Sequence, residues 1–214
     1  MDFWLTALIL GGYGLVMAIV LPISMRRWER TDSAERERVA GVLRHLAAEM
    51  GGEFLDPRVV RGVDDDGDAY AQLDHGTASV TRGGLTVEVG VQVIGTTNGQ
   101  CLKVRVPVPQ GRTWAVARLR SRDYRWSRGD PGTLGTFRRS YSSAEPERLS
   151  KDARVALLDV LQHATDVRLD AEGLTMWTLP PRWPPSPRIR SVSDAAALVP
   201  HVHRMAAAAR LLLT

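Results

Sequence analysis

The acidic stretch DDDGDAYAQLDH, residues 64–75, holds the densest run of hard oxygen donors in the chain. Oxygen donors at short spacing are the raw material of a calcium loop, which places acids first, third and fifth, glycine sixth and glutamate twelfth. Counting from Asp64 puts Ala69 sixth and His75 twelfth; counting from Gly62, to seat Gly67, puts Leu73 twelfth. Neither register closes, so the stretch reads as an exposed acidic turn. The histidines offer no second option. His201 and His203 are two apart and point to different faces of one helix, whereas a shared metal asks for an i, i+4 pair. His45 and His163 belong to separate helical segments, His75 to a turn, and the single cysteine, Cys101, is near none of them in sequence. A zinc site and a Cys–His nucleophile are therefore not indicated, and no phosphate loop, GxSxG elbow or dinucleotide fingerprint is present. The expectation is no cofactor, no metal and no catalytic set.

The basic stretch ARLRSRDYRWSRGD, residues 117–130, carries a different kind of chemistry. Strand alternation places Arg118, Arg120 and Arg122 on one face, and Arg125, Trp126 and Arg128 follow. An arginine and aromatic surface of this kind suits anionic lipid head groups or a protein partner, and otherwise is a solvated strand face. A second docking option, the proline-rich PPRWPPSP with its overlapping PxxP spacings, reads more simply as a stiff connection.

What must position these residues begins with the amino-terminal run. From Phe3 to Ile23 no side chain is charged, and a helix of that length crosses a hydrocarbon core of roughly 30 Å. A cleaved leader would need a positive start, a shorter apolar core and a small-x-small site. Here the first charge is Asp2 and the run ends in SMRRWER. Residues 1–25 are thus expected to be a single-pass transmembrane anchor. Arg26, Arg27 and Arg30 follow it, which sets the amino terminus outside and residues 26–214 in the cytoplasm at the inner (plasma) membrane. Trp4 and Trp28 bracket the span as interfacial aromatics do. Ala7, Gly11, Gly14 and Ala18 form one small-residue stripe on which a membrane-protein partner or a second copy could pack.

Composition narrows the remainder. The residues beyond the anchor suffice for one ordinary domain, and one cysteine rules out a disulfide framework. All but two of the 28 basic residues are arginine, the lysines being Lys103 and Lys151, and net charge is only +4. Past the juxtamembrane cluster the charges nearly balance, which argues against a general nucleic-acid binder.

Periodicity then gives the elements. TDSAERERVAGVLRHLAAEMGG predicts a helix capped by Asp32 with Glu35, buried through Val39, Val42, Leu43, Leu46 and Met50, and stopped at Gly51 and Gly52. LTVEVGVQVI and CLKVRVPVP alternate as two arms of an antiparallel hairpin around GTTNGQ, with Pro107 at an edge or strand end. YAQLDHGTASVT with the RGG turn predicts a strand pair upstream, and TWAVARLRS extends the meander downstream. Ser150 caps a second helix with an apolar face of Val155, Leu158, Leu161 and Ala164. VRLDAEGLTMWTL is a hairpin turning at Glu172 and Gly173, and the last helix restarts or kinks at Pro200. The class is α+β: an N-terminal transmembrane helix, then one domain with an antiparallel β-meander packed against about three helices.

FRRSYSSAEPERLSKDARVALLDVL, followed by VRLDAEGLTMW and an Ala/Leu-rich helix, resembles a pattern in the C-terminal third of uncharacterised single-pass membrane-anchored proteins of GC-rich Gram-positive bacteria. Gly129, Asp130, Phe137, Tyr141, Leu149, Ser150, Arg154, Leu157 and Leu158 carry the match, while Arg138 stands where an acid is usual. The resemblance implies a membrane-tethered cytoplasmic domain without assigned catalytic residues. The functional expectation is a membrane-tethered interaction or scaffold domain; the alternative is a membrane-anchored hydrolase using acids near Asp64 to Asp68 or Asp130 with a histidine.

Overall fold

The computed structural model describes residues 33–34, 36–63, 69–73, 75–94, 99–122, 130, 132–178 and 195–213. The chain divides into two units, Met1–Arg38 and Val39–Thr214. Among the described residues no helix is long and apolar enough to cross a membrane; the apolar run read as an anchor, with its Ala7, Gly11, Gly14, Ala18 stripe, lies outside them, as do Asp32 and Glu35.

Helix α1 covers residues 36–49. Val39, Leu43 and Leu46 are fully buried, with Ala40 and Ala47 beside them, so the apolar stripe expected from i, i+4, i+7 spacing is the face that packs. The helix ends at Gly51, whose φ of +67° an L side chain adopts only at a cost, and the Gly52 N–H closes back on the Ala47 carbonyl at 2.7 Å.

Among the described residues ten strands follow: β1 (Glu53–Leu55), β2 (Val59–Val63), β3 (Ala69–Leu73), β4 (Thr77–Arg82), β5 (Leu85–Ile94), β6 (Gly99–Pro107), β7 (Leu119–Ser121), β8 (Tyr141–Ser143), β9 (Asp166–Leu169) and β10 (Gly173–Thr178). Eight form one antiparallel sheet in the order β1-β4-β5-β6-β10-β9-β7-β8, and β2 pairs with β3 in a separate ribbon. The long β5–β6 hairpin is the arm pair that alternation predicts, and Pro107 ends β6, where its missing N–H costs the ladder nothing.

Alternation also decides which sheet face is dry. Val87, Val89 and Val91 of β5, Leu102, Val104 and Val106 of β6, Leu174 and Met176 of β10, and Val167 and Leu169 of β9 are all buried within one core. Each such side chain contributes roughly 1.5–3 kcal/mol relative to exposure. The helices cover this face. Helix α4 (Val199–Leu212) lies on β4, β5 and β6 through Val202, Met205, Ala206 and Ala209, and α3 (Lys151–Gln162) packs beside α4 and on β9. Helix α2 (Leu134–Ser140) packs on β8 and α3. Pro200 sits in the first turn of α4, so the helix restarts there after a 3₁₀ turn at Ala195–Ala197, as the proline demands.

The class is therefore α+β, and the described residues form an eight-stranded antiparallel sheet and four helices, where about three were expected. Three local readings change. TWAVARLRS does not extend the meander: only Leu119–Ser121 is strand, and β10 and β9 intervene between it and β6. The upstream strands form as β3 and β4, and the RGG turn joins β4 to β5, but β3 pairs with β2 and β4 also takes β1. Leu158, Leu161 and Ala164 are buried as expected, but Val155 is 36% exposed, and Ala153, Leu157 and Val160 complete the buried face of α3. Ser150 caps α3 as expected, accepting from the Ala153 N–H at 3.0 Å.

Candidate functional site

The sheet face opposite the helices is defined by register. Following the paired Cα positions across all eight strands gives one row: Glu53, Ser79, Glu88, Arg105, Thr175, Arg168, Arg120, Ser142. A second row on the same face runs Thr77, Gly90, Lys103, Trp177, Asp166. Neighbouring strands are about 4.8 Å apart, so these residues form one array across the sheet.

Two of the arginines are held. Arg105 faces the carboxylates of Glu88 and Glu172, each at 3.6 Å, and its Nη2 donates to the Glu172 carbonyl at 3.0 Å. Glu172 is placed for this by the β9–β10 turn. There the Asp170 carboxylate accepts from the Glu172 and Gly173 N–H groups, and Gly173 takes φ +155° against β6, where a Cβ would meet the Val106 carbonyl oxygen at 2.5 Å. Arg168 donates from Nε to Asp166 at 2.6 Å and lies over the Trp177 ring at 5.2 Å. Asp166 in turn accepts from the Ser121 hydroxyl, whose oxygen accepts from the Val167 N–H at 3.1 Å. A chain of contacts across β7, β9 and β10 thus fixes one guanidinium. Thr175, 7% exposed, is enclosed between the two held arginines in the row.

The other cations differ. Arg120 stands directly opposite Arg168 in the β7–β9 ladder. Among the described residues no acceptor engages the side chains of Arg118, Arg120, Arg122 or Lys103. Chemically the array offers charged donors to anionic oxygens. Cys101 shares the strand parity of Lys103 and Arg105 but is fully buried, so the open surface ends before it.

Of the basic stretch, Arg120 is in β7 and Arg118 and Arg122 flank it, all exposed, with the Arg122 N–H donating to the Ser140 carbonyl at 2.9 Å. The expected three-residue alternation within one strand shortens to a single arginine because β7 is only three residues long. Arg125, Trp126 and Arg128, like the acids Asp64 to Asp68, lie outside the described residues. Sequence reasoning missed Lys103, Arg105, Arg168 and Trp177. Each stands at a polar position of an alternating strand, but only the β6–β10–β9–β7 order brings them together.

The motif residues of the C-terminal third are spent on the fold. Asp130 Oδ1 accepts from the Gly132 N–H at 2.9 Å and its carbonyl from Thr133, which caps α2. Phe137 and Tyr141 stack at 5.1 Å, both buried. Tyr141 donates to the Leu157 carbonyl at 2.6 Å, and burial, reinforced by Asp166, pushes its phenol well above its ordinary value. Arg154 donates from Nε and Nη2 to the Gly132 carbonyl and from Nη1 to the Leu149 carbonyl. This is a latch joining α2, β8 and α3.

Among the histidines, His163 Nδ1 lies 3.0 Å from the Asp159 carbonyl, and Arg204 pairs with Asp159 at 3.3 Å. His201, on α4, has its proton affinity lowered by burial, then by Arg204 and His163. Arg82 donates to His203 Nδ1 at 3.1 Å. Among the described residues no three His, Cys, Asp or Glu side chains are grouped to hold a metal. No family model matches the chain, and neither the curated proteins nor the solved structures contain a significant match.

Proposed function

We propose that the chain is a membrane-tethered interaction module, its apolar segment held in the inner membrane with the amino terminus outside and its α+β domain serving as a scaffold at the cytoplasmic surface. The apolar run and the arginines after it support the tether and its orientation. The observation that carries the scaffold reading is the division of the sheet: one face is committed to the helices, the other presents a row of charged side chains. Asp130, the described acid of the hydrolase alternative, is occupied in a turn. The resemblance of the C-terminal third to membrane-anchored proteins points the same way.

Alkaline carbonate washing of membranes tests the tether. The full chain is expected to stay in the membrane pellet, and release into the wash overturns the reading. A reporter fused after Thr214 that is active only outside the cytoplasm is expected to be silent; activity there reverses the orientation. Turnover of a hydrolase substrate panel by the full chain in detergent would remove the scaffold reading.

A further inference from the structure

We propose that the half-face built from β6, β10, β9 and β7 is a contact surface for anionic lipid head groups, with Arg120, Arg168 and Lys103 as its cationic contacts. The proposal rests on the membrane-tethered reading and adds which face of the domain turns to the lipid.

The first support is a like-charge pair. Arg120 and Arg168 are directly opposed in an antiparallel ladder, an arrangement that disfavours folding unless something offsets it. Asp166 answers Arg168 alone, and no described residue answers Arg120 or Lys103. The unanswered charge is on the side away from the core, where an external anion can supply the balance.

The second is the choice of anion. The cations lie on β6, β9 and β7, and three strand spacings of about 4.8 Å separate Lys103 from Arg120, which suits several head groups better than one bound phosphate. Base stacking would need a free aromatic face, yet the Trp177 ring already carries the Arg168 guanidinium. A protein interface centres on buried apolar side chains. The exposed large hydrophobics among the described residues, Val155 and Leu211, are on or beside the helices and not on this face. Among the described residues the face carries charge without an apolar centre or a free stacking platform, which fits head groups.

The test uses the full chain with Ser142→Cys, at the β8 end of the row, labelled with an environment-sensitive fluorophore; Ala207→Cys on the exposed side of α4 is the control. Fully buried Cys101 remains unlabelled. The chain is mixed with neutral phosphatidylcholine vesicles or with vesicles containing phosphatidylserine, each carrying a head-group spin quencher. Quenching at position 142 and not at 207 is expected, only with phosphatidylserine, fading as salt shortens the screening length from about 8 Å to about 3 Å. Arg120→Gln with Lys103→Gln, two side chains without a described partner, should weaken the contact about 25-fold at about fivefold per cation. Equal quenching with neutral vesicles, or at both positions, overturns the proposal. So does a label blind to the quencher that responds instead to a polyglutamate peptide or an oligouridylate. A chain left in solution by neutral vesicles contradicts the tether; salt-sensitive capture by phosphatidylserine vesicles then still upholds the face, and capture by neither sinks both.

Discussion

The Tyr141 hydroxyl donates to the carbonyl of Leu157 at 2.6 Å, tying the edge strand β8 to the middle of α3 through the buried interior. Tyr141→Phe keeps the ring stacked on Phe137 and removes only this bond, so urea unfolding should show a loss of about 1 kcal/mol. The same phenol gives a signature in alkali. Its folded-state affinity for the proton is raised above the ordinary 10.0, so its contribution is complete below pH 10 and is lost as pH rises above it. Wild type should therefore lose stability more steeply than the phenylalanine variant above pH 10.

Arg154 joins two carbonyls that belong to different segments, Gly132 before α2 and Leu149 before α3. Arg154→Met should cost about 2–4 kcal/mol, since hydrogen bonds from a charged donor are worth about 1.5–3 kcal/mol each and are not additive. Arg154→Lys should recover little of this, because an ammonium cannot span both acceptors as a planar guanidinium does. Chemical denaturation of the three proteins in parallel checks the order.

His201 makes stability fall in acid. Burial, Arg204 and His163 all disfavour the imidazolium in the folded chain, whereas the unfolded chain takes up its proton near the ordinary 6.5. The stabilising difference is present above pH 6.5 and is lost as pH falls through the lowered folded value. His201→Gln should flatten the decline in melting temperature between pH 7 and pH 5.

Arg120→Glu should stabilise the fold by roughly 0.2–1 kcal/mol, because it replaces a like pair across the β7–β9 ladder with an opposite one. Thermal melting reads that gain. The same variant should lose head-group contact more completely than Arg120→Gln, so stability and binding move in opposite directions at one residue.

The long alternating strands and the capped helices were legible because their signals are local. Val87 to Val91 and Leu102 to Val106 announce β5 and β6, Ser150 announces α3, and the Glu172–Gly173 turn announces the β9–β10 hairpin. The three-residue strands β1, β7 and β8 are too short for any period to register, and Leu134–Ser140 is under two turns and reads as a loop. Arg120 was visible as a candidate from its own segment. Its opposite number, Arg168, was not, because their adjacency depends on β9 inserting beside β7, a pairing between residues 48 positions apart that no local pattern encodes.

The ladder between β6 and β10 joins two four-stranded halves of the sheet, one drawn from residues up to Pro107 and the other from residues from Leu119 onward. Helix α4, from the end of the chain, reaches back over that seam to cover β4, β5 and β6, and its last turn is stitched to the crossing segment by the Ala115 N–H to Leu212 carbonyl bond at 2.7 Å. Each half thus completes the other's core. A backbone nick at the exposed Gln110–Gly111 turn would yield two fragments, neither complete alone, that regain a sheet only by finding each other.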